Sequence, residues 1–138
     1  MKIIHVAGLS NSGKTTFIND LIPALNKLGR VGVIKHLGDH EYALEGGKDT
    51  TGFFEAGAEI SAGIDANKSI VAIRTTSLDT IMLLLFQQGI DFLVIEGFKQ
   101  RSFPKIVIGD LEIEGCLFRN PTINDVIANL SRFEDYKV

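Results

Sequence analysis

Residues 8–15 read Gly8-Leu9-Ser10-Asn11-Ser12-Gly13-Lys14-Thr15, and this stretch decides the fold. It fits the pattern G-x-x-x-x-G-K-[ST], in which backbone N–H groups wrap a phosphate. A short apolar run, residues 2–7, precedes it, and apolar residues at helical spacing follow it from Thr16 to Leu28. Strand, loop and helix in this order are the context that the motif requires. We therefore predict a nucleotide-binding phosphate loop.

Each fixed position of this loop has a chemical role. Gly8 and Gly13 are expected to adopt backbone angles that a side chain would forbid. The Lys14 ammonium is long enough to reach the β- and γ-phosphates, and the Thr15 hydroxyl offers one ligand to Mg²⁺. Thr16 is placed to donate to the α-phosphate. The predicted nucleotide contacts are completed by polar residues between the glycines, namely Ser10, Asn11 and Ser12.

The composition is that of an ordinary globular protein. Of 138 residues, 45% are apolar and 22% are charged, which predicts one domain over residues 1–138. The net charge of −3 offers no basic surface to nucleic acid or to a membrane. Cys116 is the only cysteine, so an intramolecular disulfide and a four-cysteine zinc site are excluded. With no signal peptide or long apolar run in view, we expect a cytoplasmic protein.

Apolar patterns beyond the loop predict an α/β fold. Val31 to Lys35 is expected to be a buried strand parallel to the first, and Gly29 before it a left-handed helix C-cap. Residues 59–64 and 69–74 flank a polar turn and predict an antiparallel hairpin. These patterns indicate a three-layer phosphate-loop NTPase fold, a mostly parallel sheet with one antiparallel excursion. The other predicted elements are helices at 49–56, 77–88 and 121–130 and strands at 90–95, 105–108 and 111–113.

A phosphate-loop site needs a second acidic group for Mg²⁺ or its water shell, on another strand. Asp91 and Glu96 bracket a buried strand and lie about 16 Å apart. Only one of them fits the nucleotide edge, and in a parallel sheet that is Glu96. Asp39 and Glu41 are rival metal or water-positioning groups, because the loop after a second strand often changes order with the γ-phosphate.

Histidines and cations near this edge leave several interpretations open. His36 and His40 have a metal-ligand spacing only if their segment is helical, and the sequence predicts a loop. We therefore interpret His36 as a residue that contacts a phosphate or a partner molecule. Lys99 and Arg101 place positive charge beside Glu96, which suits a second anionic molecule or a phosphate supplied in trans. Lys99 is also included among the predicted nucleotide contacts. The guanine-recognition motif N-K-x-D is absent, so base preference is not readable from it.

Several segments together resemble the family of molybdopterin-guanine dinucleotide biosynthesis protein B, or MobB. The Lys-His and Glu-Gly-Phe-Lys segments, in this order, are more specific to the family than the phosphate loop. The matching segments cover most of the first 110 residues and are Ser12-Gly13-Lys14-Thr15-Thr16, Leu21-Ile22-Pro23-Ala24-Leu25, Val33-Ile34-Lys35-His36, Gly47-Lys48-Asp49, Ala56-Gly57-Ala58, Val94-Ile95-Glu96-Gly97-Phe98-Lys99 and Lys105-Ile106.

The resemblance implies a homodimeric, weakly active GTP-binding protein. Such a protein assists the guanylyltransferase that converts molybdopterin into its guanine dinucleotide form, and molybdopterin itself is a further candidate partner. Family precedent makes Lys14 and Thr15 the phosphate and Mg²⁺ groups and Glu96 the acid on the second strand, with Lys14 and Glu96 as the predicted catalytic groups. Asp39 stays a rival Mg²⁺ ligand from its place in the loop after the second strand. The segment Leu37-Gly38-Asp39-His40 departs from a more histidine-rich family loop, which weakens any role for His40.

Two other functional classes fit the same loop. A small-metabolite kinase would transfer the γ-phosphate to an acceptor, but no arginine-rich lid segment is evident. A metal-delivery GTPase would need Cys and His ligands, and here only His36 and His40 are available. Since no residue marks itself as an internal arginine finger, we expect slow intrinsic hydrolysis.

Overall fold

The computed structural model describes all residues from Met1 to Val138. They form two compact units, residues 1–38 with 81–138 and residues 39–80. Helices are α1 (Lys14–Asn26), α2 (Asp49–Glu55), α3 (Leu78–Gln87) and α4 (Ile123–Ala128), and a short 3₁₀ turn spans Leu130–Arg132. Strands are β1 (Lys2–Ala7), β2 (Val31–Lys35), β3 (Ile60–Ile64), β4 (Ser69–Ile73), β5 (Phe92–Glu96), β6 (Lys105–Val107), β7 (Cys116–Arg119) and β8 (Glu134–Asp135).

A mostly parallel sheet forms the centre of the first unit. Its strand order is β2-β5-β1-β6-β7, every neighbouring pair is parallel, and β8 adds a short antiparallel pairing to β1. The central strands β1 and β5 are apolar and almost completely buried, as expected for strands covered on both faces. The predicted α/β fold is therefore confirmed.

Helices cover both faces of this sheet. On one face Ile4, Val6 and Val94 pack in a core cluster that includes Leu21 and Leu25 of α1. The residues that alternate with these along the strands, such as Leu93, face the opposite side of the sheet. A Cβ built at Gly32, which is aligned with Leu93, would lie 3.4 Å from Leu85 Cδ1, so α3 covers this second face. Helix, sheet and helix make the three predicted layers.

The second unit contains α2 and a separate two-stranded sheet. Strands β3 and β4 pair in antiparallel register, with Ile60 opposite Ile73, which confirms the predicted hairpin. The Ser61 hydroxyl donates to the Thr50 carbonyl at 2.7 Å and ties the hairpin to α2. The Arg74 guanidinium lies 3.9 Å from the centre of the Phe54 ring. The prediction of a single domain over residues 1–138 stays a prediction.

Two strand predictions are wrong, and two strands were not predicted. β2 is an edge strand of the sheet, and Val33 is 45% exposed, so it is not buried as its apolar composition suggested. Residues 111–113 form no strand. The structure instead has β7 and β8, which escaped prediction because both are short and largely exposed.

Gly29 does not end α1 in a left-handed conformation. The C-cap is Lys27 in a right-handed conformation, and Gly29 is absent from the positions with positive φ. A Cβ at Gly29 would instead lie 2.7 Å from Asp91 Oδ2. Asp91 accepts a hydrogen bond of 2.8 Å from the Arg30 backbone N–H, so glycine is required here for close approach.

None of the helices has the length and apolarity that a membrane crossing needs.

Candidate functional site

The predicted phosphate loop joins the carboxyl end of β1 to the start of α1. Gly13 has a φ of +99° and Asn11 a φ of +60°, so the turn depends on left-handed backbone angles. Gly8 is required for a different reason than the one predicted, because its φ is not positive. A Cβ at Gly8 would lie 2.5 Å from the Ile108 carbonyl oxygen and 2.7 Å from Ser12 Oγ. Space, not backbone angle, excludes a side chain there.

Helix α1 points an uncapped N-terminus at this loop. No side chain caps its first turn, and the first intrahelical bond runs from the Phe17 N–H to the Gly13 carbonyl at 3.0 Å. The N–H groups of Lys14, Thr15 and Thr16 therefore have no partner within the helix. Ser12 Oγ is buried and also lacks a partner. A phosphate group would satisfy these donors and would lie at the positive end of the helix dipole.

The Lys14 ammonium is folded back onto the loop. Its Nζ donates to the carbonyl oxygens of Gly8 and Leu9, both at 2.8 Å. Burial lowers the pKa of Lys14, Glu96 opposes that change, and the positive charges of Lys99 and Lys35 add to it. The charges of two other lysines and of one carboxylate therefore act on this amine.

A cavity of about 850 Å³ opens over this loop within the first unit. Its lining includes every loop residue that was predicted to contact the nucleotide, together with three residues predicted from other segments, His36, Glu96 and Lys99. Asp39 is not among its lining residues and begins the second unit. The lining residues are Gly8, Ser10 to Thr16, Lys35 to Gly38 and Glu96 to Gln100.

Glu96 is the last residue of β5 and lies at the phosphate-loop end of the strand. It is only 8% exposed, and its backbone is aligned with Val6 on one side and Lys35 on the other. Asp91 precedes the opposite end of β5, where it accepts the Arg30 N–H. The strand polarity places Glu96 and not Asp91 at this edge, as expected, while its role as a metal ligand stays a prediction. No group of three or more His, Cys, Asp or Glu side chains is arranged to hold a metal ion.

The turn after Glu96 is held by residues that the sequence analysis did not connect. Gly97 has a φ of +90°, and its N–H donates to the Val6 carbonyl at 3.3 Å. His5 Nε2 donates to the Gly97 carbonyl from within β1. Burial lowers the pKa of His5 to about 4, so the ring is neutral near pH 7. The unusual placement of a histidine in an apolar strand is the only sequence signal for this contact.

Phe98 and His36 form an aromatic pair at the cavity wall. Their rings stack with centroids 4.3 Å apart and planes inclined by 21°. Phe98 has a φ of +50°, an uncommon conformation for a bulky residue. A Cβ at Gly97 would lie 2.7 Å from the His36 Cβ, so the glycine makes room for this pair.

Comparisons with known proteins agree on one family. The family model "Molybdopterin guanine dinucleotide synthesis protein B" matches residues 3–131. A probable molybdopterin-guanine dinucleotide biosynthesis adapter protein of Bacillus subtilis is 37% identical over 110 residues, which cover 77% of this chain and 64% of that protein. The corresponding adapter protein of Haemophilus influenzae is 38% identical over 112 residues, 77% of this chain and 62% of its own.

A putative adapter protein of Methanocaldococcus jannaschii is 34% identical over 112 residues, which are 78% of this chain and 47% of that protein. The chain thus spans about half to two thirds of the length of the curated relatives it matches. The crystal structure of Bacillus subtilis MobB superposes with a TM-score of 0.74 at 27% identity, covering 99% of this chain and 100% of that one. A crystal structure of a molybdopterin-guanine biosynthesis protein B, at 20% identity and a TM-score of 0.64, covers 94% of this chain and 98% of its own and shares the fold.

The resemblance stated from the sequence motifs is therefore confirmed, and the fold is that of the phosphate-loop NTPases. On the family match and the shared architecture together, the chain belongs to the molybdopterin guanine dinucleotide synthesis protein B (MobB) family.

Proposed function

We propose that this chain binds GTP with Mg²⁺ and acts as a cytoplasmic accessory protein in molybdenum cofactor biosynthesis. In this role it assists the guanylyltransferase that forms molybdopterin guanine dinucleotide. The observation that carries the nucleotide site is the uncapped start of α1 beside the unpaired, buried Ser12 hydroxyl. The names of its relatives, adapter proteins of the same biosynthesis, support the accessory role.

The proposed binding step uses groups that already face one cavity. Backbone N–H groups of the loop and of Lys14 to Thr16 donate to the β- and γ-phosphates, and Lys14 adds a mobile positive charge. The hydroxyl of Thr15 and the carboxylate of Glu96 would hold Mg²⁺. The ion would neutralise charge that develops on the transferred phosphoryl group.

Hydrolysis by the chain alone is proposed to be slow. No arginine lines the cavity, so no side chain within it supplies the positive charge of an arginine finger. We expect a turnover below about 1 s⁻¹ for the purified protein. Faster turnover, retained after removal of trace contaminants and lost in Lys14→Ala, would contradict this part of the proposal.

A nucleotide competition assay tests the site. Unlabelled GTP, ATP and pyrophosphate would displace a fluorescent GTP analogue from the protein, with and without Mg²⁺. We expect GTP to compete at least about tenfold better than ATP, a difference of about 1.4 kcal/mol. Equal competition by ATP would refute the base preference, and no binding of any nucleotide would refute the site.

Three variants assign the residues. Lys14→Ala should abolish nucleotide binding and leave the unfolding temperature unchanged within a few degrees. Glu96→Gln should weaken the dependence of affinity on Mg²⁺, whereas Asp91→Asn, at the other end of β5, should not. Equal effects of these two changes would refute the assignment of Glu96 to the metal.

Self-association is proposed through the second unit, whose hairpin exposes large apolar side chains. Ile64 is 82% exposed and Ile70 is 69% exposed in the single chain, and such surface is typical of an interface. The double change Ile64→Glu and Ile70→Glu should convert a dimer to a monomer in light-scattering measurements. Thr76→Glu, an exposed polar position of the same unit outside the hairpin, is the matched control. A wild-type protein that is monomeric at tens of micromolar would refute the dimer.

A further inference from the structure

Two buried basic residues lie side by side in the central sheet. His5 of β1 is aligned with Lys105 of β6, so both side chains leave the sheet on the same face. His5 is completely buried and Lys105 is only 2% exposed, and neither residue lines the cavity over the phosphate loop. Because burying an ionisable group costs free energy, a specific contact has to compensate for the burial of each.

Lys105 makes its contact with the main chain and not with an acid. No salt bridge joins its ammonium to a carboxylate, and burial alone lowers its pKa. Its Nζ donates to the carbonyl oxygens of Arg101 and of Phe103, the latter at 3.0 Å. Both carbonyls belong to residues 97–104, which connect β5 to β6 and which we call the β5–β6 loop. The ammonium therefore holds the second half of this loop.

His5 makes the corresponding contact at the start of the β5–β6 loop. Its Nε2 donates to the Gly97 carbonyl. Its ring also packs against the buried Phe103 ring in a T-shaped arrangement, with centroids 6.0 Å apart. The two basic residues thus hold the loop at both ends from adjacent strands of the sheet.

The loop needs this support because it begins with two consecutive residues in left-handed conformations. Gly97 has a φ of +90° and Phe98 a φ of +50°. Such a backbone is rare for a phenylalanine and persists only where the surrounding structure enforces it. Main-chain bonds contribute, from the Gly97 N–H to the Val6 carbonyl at 3.3 Å and from the Arg101 N–H to the Phe98 carbonyl at 3.0 Å. The two buried basic residues add the side-chain contacts.

The direction of the Glu96 side chain depends on the turn that follows it. Glu96 is aligned with Val6, so its side chain leaves the sheet on the face opposite to that of His5. The chain therefore crosses the edge of the sheet between Glu96 and the carbonyl that His5 holds. Fixing Gly97 on the far face fixes the end of β5, and with it the direction of the Glu96 carboxylate.

We propose that His5 and Lys105 are positioning residues, which fix the β5–β6 loop and through it direct the Glu96 carboxylate toward the proposed metal site. Neither residue touches the nucleotide or the ion. The effect on Mg²⁺ rests on the proposed function, because that function assigns Glu96 to the metal, whereas the fixing of the loop does not. No covalent step is implied.

GTP affinity with and without Mg²⁺ tests the effect on Glu96. His5→Leu removes the donor from β1, and Lys105→Met removes the ammonium from β6. Each should reduce the gain in GTP affinity that Mg²⁺ provides by about threefold to tenfold, as for one lost hydrogen bond, and change the affinity without Mg²⁺ by less than about twofold. His5→Gln keeps an N–H donor and should retain the gain of the wild type. An unchanged gain in both His5→Leu and Lys105→Met would overturn the proposal.

A matched control separates positioning from a general loss of stability. Ile3 is buried, lies two residues before His5 in β1 and faces the same side of the sheet. Ile3→Ala should lower the unfolding temperature and leave the Mg²⁺ dependence of GTP affinity unchanged, when affinities are measured at a temperature at which every variant is folded. A loss of Mg²⁺ dependence in Ile3→Ala equal to that in His5→Leu would overturn the proposal.

A double-mutant cycle shows whether the effect passes through Glu96. In a Glu96→Gln background, His5→Leu should have no further effect on the Mg²⁺ dependence, because the carboxylate that it positions is absent. Additive effects of the two changes would overturn the proposal.

Amide exchange measured by NMR tests the fixing of the loop in the absence of nucleotide. The Gly97 N–H in His5→Leu and the Arg101 N–H in Lys105→Met should exchange about threefold to tenfold faster than in the wild type, and the amides of β1 should change by less than about twofold. Unchanged loop amides in both variants would overturn the proposal and leave the nucleotide function standing. Faster loop exchange in a protein that binds no GTP would support the fixing of the loop and refute the nucleotide function, together with the effect on Glu96.

Discussion

The two units of this chain use their apolar residues in opposite ways. In residues 1–38 with 81–138, the apolar side chains of β1, β5 and α1 are buried or partly buried. In residues 39–80 only Leu78 is a buried hydrophobic residue, although the segment is rich in apolar side chains. Large apolar residues that it exposes are Tyr42, Leu44, Phe53, Ile60, Ile64, Ile70 and Val71.

The difference indicates that only the first unit has a hydrophobic core of its own. A parallel sheet with helices on both faces supplies a core, whereas a two-stranded hairpin with one short helix has too little surface to bury. The first unit therefore holds the geometry of the nucleotide site without help. The second unit has the surface expected of a segment that becomes covered by another molecule.

The largest expected effect compares the two units directly. Leu21→Ala removes a fully buried side chain of α1 and should lower the free energy of unfolding by about 2–5 kcal/mol. Ile64→Ala, in the exposed hairpin, should lower it by less than about 0.5 kcal/mol at protein concentrations that favour the monomer. Urea unfolding at low protein concentration measures both values. Equal losses would show that the hairpin has a core of its own.

A pH dependence of stability should come from the first unit. Burial lowers the pKa of His5 to about 4 from 6.5, so between these values the unfolded chain binds a proton that the folded chain does not. The part of the free energy of unfolding that is linked to His5 is fully present above pH 6.5. It is lost progressively as the pH falls toward 4, and it does not change further below pH 4. The loss amounts to about 3 kcal/mol.

His5→Gln retains an N–H donor but does not titrate, so it isolates this effect. Unfolding temperatures of the variant should fall less steeply between pH 6.5 and pH 4 than those of the wild type. Parallel curves for the two proteins would show that another group causes the acid sensitivity.

A smaller loss of stability should separate a glycine that has close neighbouring atoms from one that has none. Gly8→Ala brings a Cβ to 2.5 Å from the Ile108 carbonyl oxygen and should cost about 1–3 kcal/mol together with nucleotide affinity. Gly46→Ala, in the second unit, meets no atom within 4 Å and should change neither quantity by more than experimental error. Nucleotide titration and thermal unfolding of both variants test this contrast, and an unaffected Gly8→Ala protein would contradict the geometry of the loop.

The smallest effect is a stabilisation of the second unit. Gly52 lies inside α2, and a Cβ added to it would have no neighbouring atom within 4 Å. Gly52→Ala should therefore slow amide exchange in that helix, by about 0.5–1 kcal/mol of opening free energy. Gly57→Ala is the opposing control, because its φ of +118° disfavours a side chain. Faster exchange in Gly52→Ala would contradict the predicted stabilisation of α2.

Local sequence signals determined the features that depend on neighbouring residues. The phosphate loop, α1 and the hairpin were predictable because each combines a periodic apolar pattern with turn residues a few positions away. The position of Glu96 at the phosphate-loop edge was predictable, because strand polarity in a parallel sheet decides which end of β5 meets the loop. The capping Ser77, whose hydroxyl accepts the Thr80 N–H at 3.2 Å, is a similar local signal.

Tertiary structure alone decided the features whose partners are distant in the chain. Gly8 is constrained by Ile108, Gly29 by Asp91, and the Gly97 turn by His5. The exposed edge position of β2 and the short β8 exist only because other strands are aligned beside them. A sequence pattern records which side chains are apolar and how they are spaced, whereas close approach depends on atoms that folding brings together from separate segments.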